Sequence, residues 1–207
     1  MTVRNVVFDV GNVIVPWDPE SIERRAFGSE RVSHPDYVSP LRGHMIWLAI
    51  NRGELTLAQA RTQYVQREDF LAEEIDRLYE ALFASFPLKR DTYALMEELE
   101  AQDYRLFAIT DNVNEIVAFL KEEYDFWDKF DAAAVSAELG VLKPDPRIYQ
   151  WLVDEADIAP QECVFLDDVE HNVAGAKAVG MEALLFTDAG KARADLRALG
   201  LNLRAGA

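Results

Sequence analysis

The chain has 207 residues, half of them apolar, enough for one domain with a substantial core or one domain carrying a small insertion. Its 37 acidic against 21 basic residues leave a formal charge of −16, a field that repels nucleic acid, anionic lipid and phosphorylated molecules alike, so a phosphate site here needs local cations or a metal. Cys163 is the single cysteine, which precludes an internal disulfide; no leader pattern opens the chain, no apolar run nears the roughly 20 residues that span a bilayer, and the expectation is a cytoplasmic protein, monomer or homodimer, with no nucleic-acid or membrane partner.

The first element is the run "VVF" (Val6 to Phe8), which stops abruptly at Asp9, with Gly11 two positions later. A short β-branched and aromatic run of this kind reads as a fully buried strand of a parallel sheet. Residues 17–87 then show helical patterns, "ESIERRAF", "HMIWLAINRG", "TLAQARTQYVQ" and "AEEIDRLYEALFASF", with no strand run between them. They read as a small helical cap inserted into a core formed by residues 1–16 and 88–207, with Thr56 capping the third of these helices. His44, Met45, Trp47, Asn51 and Arg52 lie on or near one cap helix, where Met45 and Trp47 suit packing better than ligand contact; Trp17 suits packing or a sugar face.

The core resumes with "LKRDTYALMEELEAQ", whose Tyr93, Leu95, Met96 and Leu99 share one helical face. "RLFAI" leads to Thr110, Asp111 and Asn112, and "NEIVAFLKEEY" follows as a helix. In "LGVLKPDPRIY", Lys143 stands ahead of a helix for which Asp145 is the N-cap and Pro146 the first-turn residue. "CVFL" leads to Asp167 and Asp168, with Cys163 an inert buried thiol. "NVAGAKAVG" ends at Gly180, a C′ glycine, before a last strand, "EALLF", and residues 202–207 are expected to fray. "DAGKARAD" lacks the first glycine and the hydroxyl residue of a phosphate loop. Strand and helix alternate from residue 88 to 187, so the fold class is α/β: a doubly wound, Rossmann-like parallel sheet with a helical cap.

In such sheets ligands bind at the carboxyl ends of the strands. Asp9, Thr110 and the pair Asp167–Asp168 all occupy strand ends, far apart in sequence and convergent in space. Adjacent buried carboxylates repel, and a cation between them is the better explanation of the pair.

The order "FDVGNV … ITDN … KPDPRIY … FLDDVEHN" resembles the four motifs of the haloacid dehalogenase-like hydrolase superfamily over nearly the whole chain. It is most similar to the branch holding α-glucose 1-phosphate phosphatases and the phosphatase domain of soluble epoxide hydrolases. The resemblance implies a Mg²⁺-dependent phosphatase acting on a small sugar phosphate, with Asp9 as the nucleophile that becomes an aspartyl-phosphate. Thr110 and Lys143 would be catalytic and bind the phosphate with Asp111 and Asn112; Asp9, the Gly11 carbonyl and Asp168 would hold the metal; Asp167 would act behind them toward Lys143 or a metal-bound water, and Asn172 would orient Asp168. Most phosphatases of the superfamily carry a second Asp where this chain has Gly11, so the proton donor is left to Asp18, Asp111, His171 or water. The alternatives are a metal-free 2-haloacid dehalogenase, or a phosphate- and metal-binding regulator without turnover.

Overall fold

The computed structural model describes residues 2–67 and 69–204. Its sheet is built from β1 (Asn5–Phe8), β2 (Arg105–Thr110), β3 (Ala132–Val135), β4 (Cys163–Asp167) and β5 (Glu182–Leu185), in the spatial order β3-β2-β1-β4-β5. Every neighbouring pair is parallel, with Val7 between Phe107 and Phe165. β1 and β4 are buried along their whole length, as strands covered on both faces must be. β3 is a strand that the sequence patterns miss. Its "AAAV" carries no β-branched run, and its conformation is imposed by pairing with Phe107–Thr110.

Among the described residues, five helices lie between β1 and the core helix α6 (Arg90–Glu100): α1 (Pro19–Phe27), α2 (Ser29–Val32), α3 (Met45–Asn51), α4 (Leu57–Gln66) and α5 (Ala72–Phe83). Local chemistry sets their ends. Asp18 caps α1 by accepting from the Ser21 N–H at 3.0 Å and its hydroxyl at 2.6 Å. Thr56 and Gln59 form a reciprocal capping box on α4. The remaining α-helices among the described residues are α7 (Asn114–Glu123), α8 (Ser136–Leu139), α9 (Pro146–Ala156), α10 (Glu170–Ala178) and α11 (Ala189–Ala198). None of the described helices is long and apolar enough to cross a membrane.

One apolar cluster runs from the sheet face at Phe8, Leu106 and Leu166 straight into Ile22, Trp47 and Leu78 of the inserted helices. A second, on the opposite face, packs Val7, Phe107 and Phe165 against Ile148, Tyr149 and Leu152 of α9. The insertion is also tied to the core by polar contacts. The buried Ser136 hydroxyl donates to the Asn51 carbonyl at 2.7 Å and accepts from the Asn112 N–H at 2.9 Å. Gly53, at φ +68, lets the chain leave α3 so close to α8 that a Cβ there would lie 1.9 Å from the Ala137 carbonyl oxygen.

Two expectations are corrected here. Met45 is not a packing residue; it is 74% exposed. Residues 202–204 do not fray: Leu201 and Leu203 are buried, and Asn202 bonds to Tyr104 and Gln102. Residues 205–207 lie outside the described part.

Candidate active site

The chain order reverses between β1 and β4, and the carboxyl ends of these neighbours form the crevice where a doubly wound sheet binds ligand. Asp9 follows β1, its N–H extending the ladder to Leu166 at 2.9 Å. Its Oδ1 accepts from the Val10 N–H at 2.7 Å and lies 2.9 Å from Lys143 Nζ. Lys143 Nζ also reaches Asp167 Oδ2 at 2.7 Å and the Ile109 carbonyl at 3.3 Å. Asp167 accepts in addition from the Val169 N–H at 2.8 Å and from the Asn172 amide at 3.1 Å on each oxygen.

Asp9, Lys143 and Asp167 are all buried, so their charges survive only by offsetting one another. Burial pushes the Asp9 carboxyl up to about 7, with Lys143 pulling it down and Asp167 pushing further up. Burial works against the Lys143 charge too, yet Asp9 and Asp167 hold that ammonium above the ordinary lysine range.

Asp168 turns to a different partner. Its Oδ2 accepts from Asn12 Nδ2 at 2.9 Å, and no hydrogen bond joins it to Asn172 among the described residues. The expectation that Asn172 orients Asp168 is therefore corrected: Asn172, in the first turn of α10, faces back onto Asp167. Asn12 is the site residue that sequence reasoning missed. It sits at φ +56, a left-handed conformation that asparagine tolerates, and its Oδ1 accepts from the Trp17 N–H at 2.8 Å. Lys89 Nζ donates to its carbonyl.

Carboxylate oxygens of Asp9, Asp167 and Asp168 all lie within 4.8 Å of one another. Such a set of hard oxygens suits Mg²⁺. The Thr110 hydroxyl is buried and has no hydrogen-bond partner among the described residues, which leaves a donor unused at the end of β2. Asp111 spends Oδ1 on the Lys143 backbone N–H at 2.9 Å, clasping the Lys143 loop, and burial pushes its carboxyl up. Asn112 holds the loop after β2, its Oδ1 accepting from the Val113 N–H.

A cavity of about 410 Å³ opens at these strand ends, with the buried Thr110 and Asp167 lying behind its wall rather than on it. Asp9, Gly11, Asn12, Asp111, Lys143 and Asp168 line it, as do His171 and Asn172. Trp17, Trp47 and Asn51 line it from the insertion, whereas His44 caps α3 and Arg52 stays exposed, both off the cavity wall. Asp18, spent on the α1 cap and exposed, is not on the wall either, which removes it as a proton donor. A larger, more open groove of about 690 Å³ between Phe27, Arg31 and Phe70 contains none of the strand-end residues.

A model of the haloacid dehalogenase-like hydrolase family matches residues 3–180. The chain belongs to that family. This hydrolase is 26% identical over 198 residues to the sesquiterpene phosphatase astK of Aspergillus oryzae, covering 96% of this chain and 97% of that one. It is 27% identical to flavin mononucleotide hydrolase 1 of Arabidopsis thaliana over 77% of this chain and 64% of the plant protein. Its fold matches that of a HAD-family enzyme from Bacteroides thetaiotaomicron with a TM-score of 0.78, at 20% identity, over 95% of this chain and 99% of the other.

Proposed function

We propose that this hydrolase cleaves phosphate monoesters of small metabolites through an aspartyl-phosphate on Asp9, with Mg²⁺ as cofactor. The observation that carries the reading is the convergence of Asp9, Lys143, Asp167 and Asp168 from three separated segments; the Thr110 hydroxyl, unpartnered among the described residues, ends the neighbouring strand β2. The phosphatase names of relatives support it. Asp9, Asp168 and the Gly11 carbonyl would hold the metal, which when bound supplies positive charge against the phosphoryl oxygens.

The chain's own groups do the rest. Lys143 holds the Asp9 carboxylate in place and presents charge to the incoming phosphoryl group. The Thr110 hydroxyl donates to a phosphoryl oxygen, and Asp167 and Asn12 steady Lys143 and Asp168. An Asp9 oxygen bonds to phosphorus as the ester oxygen leaves, and water then frees inorganic phosphate and restores the carboxylate. Gly11 contributes no proton to the leaving oxygen, so that proton comes from His171, Asp111 or water. General acid help is worth about 10²–10⁴-fold, which makes esters with an acidic leaving oxygen the favoured substrates. Within the sugar phosphates that the motif resemblance implies, an aldose 1-phosphate meets that demand through its anomeric oxygen.

Phosphate release from a panel of monoesters, with and without Mg²⁺, tests the reading. Turnover should require the metal and fall about 10⁴-fold or more in Asp9→Asn. Halide release from 2-haloacids that persists in EDTA would instead make it a dehalogenase, and Mg²⁺-dependent phosphate binding without turnover would make it a regulator.

A further inference from the structure

The charged groups on the cavity wall all belong to strand-end loops of the core: Asp9, Asp111, Lys143 and Asp168. The wall contributed by residues 17–87 is different. Trp17, Leu41, Trp47, Leu48 and Phe86 form it, together with the Gly43 backbone and one amide, Asn51. That amide already donates to the Trp47 carbonyl at 2.8 Å. The two indoles lie parallel, 5.7 Å apart at 9°. Behind them Ile46 and Ile50 are buried, so the apolar wall is backed by core and cannot turn polar groups inward.

We propose, building on the phosphatase reading, that the leaving alcohol of this enzyme is apolar: a hydrocarbon or aromatic alcohol rather than a sugar or other polyol. A pyranose in this half of the cavity would leave most of its hydroxyls without partners. Each one stripped of water and unpaired weakens binding about 5- to 100-fold. A hydrocarbon pays no such penalty and gains from every methylene taken out of water.

The step balances with groups already named. An Asp9 oxygen bonds to phosphorus, and the bond from phosphorus to the ester oxygen breaks. Its electron pair stays on that oxygen, which takes a proton from water to become the alcohol. A second water then converts the acyl phosphate to inorganic phosphate and carboxylate.

A series of ethyl, butyl, hexyl and octyl phosphate isolates the effect, because added methylenes enlarge the apolar surface while hardly changing the acidity of the leaving alcohol. With Mg²⁺ present, kcat/KM should rise about two- to fourfold per methylene until the cavity is filled. Octyl phosphate should then exceed ribitol 5-phosphate, likewise an ester of a primary alcohol, and should bind Asp9→Asn more tightly than glucose 1-phosphate does. Leu48→Gln, checked for folding by thermal melting, should lower the octyl-to-ethyl ratio. Calorimetric binding of the same series to Asp9→Asn reads the apolar wall without turnover. A flat or falling series, or a polyol phosphate that binds Asp9→Asn more tightly than octyl phosphate does, overturns the proposal. No turnover of any ester, p-nitrophenyl phosphate included, with affinity for Asp9→Asn still rising along the series, sinks the hydrolase reading and upholds the apolar wall. Neither turnover nor rising affinity sinks both.

Discussion

Lys143→Met probes the charge balance of the site. The lysine side chain is 1% exposed, with its ammonium 2.9 Å from Asp9 Oδ1 and 2.7 Å from Asp167 Oδ2. Methionine nearly matches the stem, so little cavity opens, and what disappears is one cation between two buried carboxylates. Removing one partner of a buried pair costs about 3–5 kcal/mol, because the remaining charge has nothing to offset its desolvation. Among the described residues Asp167 keeps the Val169 N–H and the Asn172 amide, whereas Asp9 keeps only the Val10 N–H, so the damage falls mainly on Asp9. Burial already raises that carboxyl from 3.8 to about 7 against the pull of Lys143, and without Lys143 it rises further. An acid whose folded pKa exceeds its unfolded value destabilises the fold as pH climbs past the unfolded value, and the penalty is complete above the folded one. At about pH 5 Asp9 is protonated with or without Lys143, and only the pairing to Asp167 is lost; at about pH 8 the wild type holds Asp9 ionised against a partner that the variant lacks. Urea unfolding in EDTA should therefore show a loss of ~3–5 kcal/mol near pH 8 that shrinks to roughly half near pH 5. A loss below ~1 kcal/mol at the higher pH, or one that does not change with pH, would refute the electrostatic account.

Gly11→Asp should fit, since a Cβ at residue 11 meets nothing closer than Trp17 Cβ at 3.5 Å. Supplying a proton donor there should raise kcat for alkyl phosphates by up to about 10²-fold while barely changing p-nitrophenyl phosphate, whose leaving group needs no acid; equal gains on both would rule out acid catalysis as the cause. Asn12→Ala removes the hold on Asp168 and should raise the half-activating Mg²⁺ concentration about 10–100-fold. Asn12→Gly keeps the left-handed backbone accessible and should show the same metal defect with a smaller loss in Tm; a normal Mg²⁺ requirement in both would show that Asn12 does not steady the ligand.

The strands that were legible are those whose burial leaves a compositional mark. "VVF", "RLFAI" and "CVFL" are dense in β-branched and aromatic residues because helices cover both faces of the sheet. β3 leaves no such mark. Alanines suit a helix as well as a tightly covered edge strand, and only its pairing with β2 decides between them. The docking of residues 201–204 is hidden for a related reason. Two leucines two apart are too short a pattern to read, and the partners Tyr104 and Gln102 are about a hundred positions away. Helix ends, by contrast, depend on neighbours a few residues off, and Thr56, Asp145 and Gly180 all behave as local chemistry dictates.

The same division between local and distant causes runs through the site. A carboxylate that ends a buried strand is anomalous on its own, so Asp9, Asp167 and Asp168 stand out from the sequence alone. Asn12 does not, because an asparagine after a glycine reads as an ordinary turn and its partner Asp168 lies 156 positions away. Asn172 stands near both acids in sequence, and only the direction of the first turn of α10 selects Asp167. The apolar wall is the least legible part. Trp47 and Leu48 carry spacing that would serve equally well in a core, and Trp47 is in fact largely buried. What puts them on a cavity wall is the gap between α3, fastened to Ser136, and the residues that follow β1 and β4, and a gap has no residues of its own to read. Buried charge can thus be inferred from composition, because its cost demands partners, while the shape of the cavity follows only from how distant elements are fastened together.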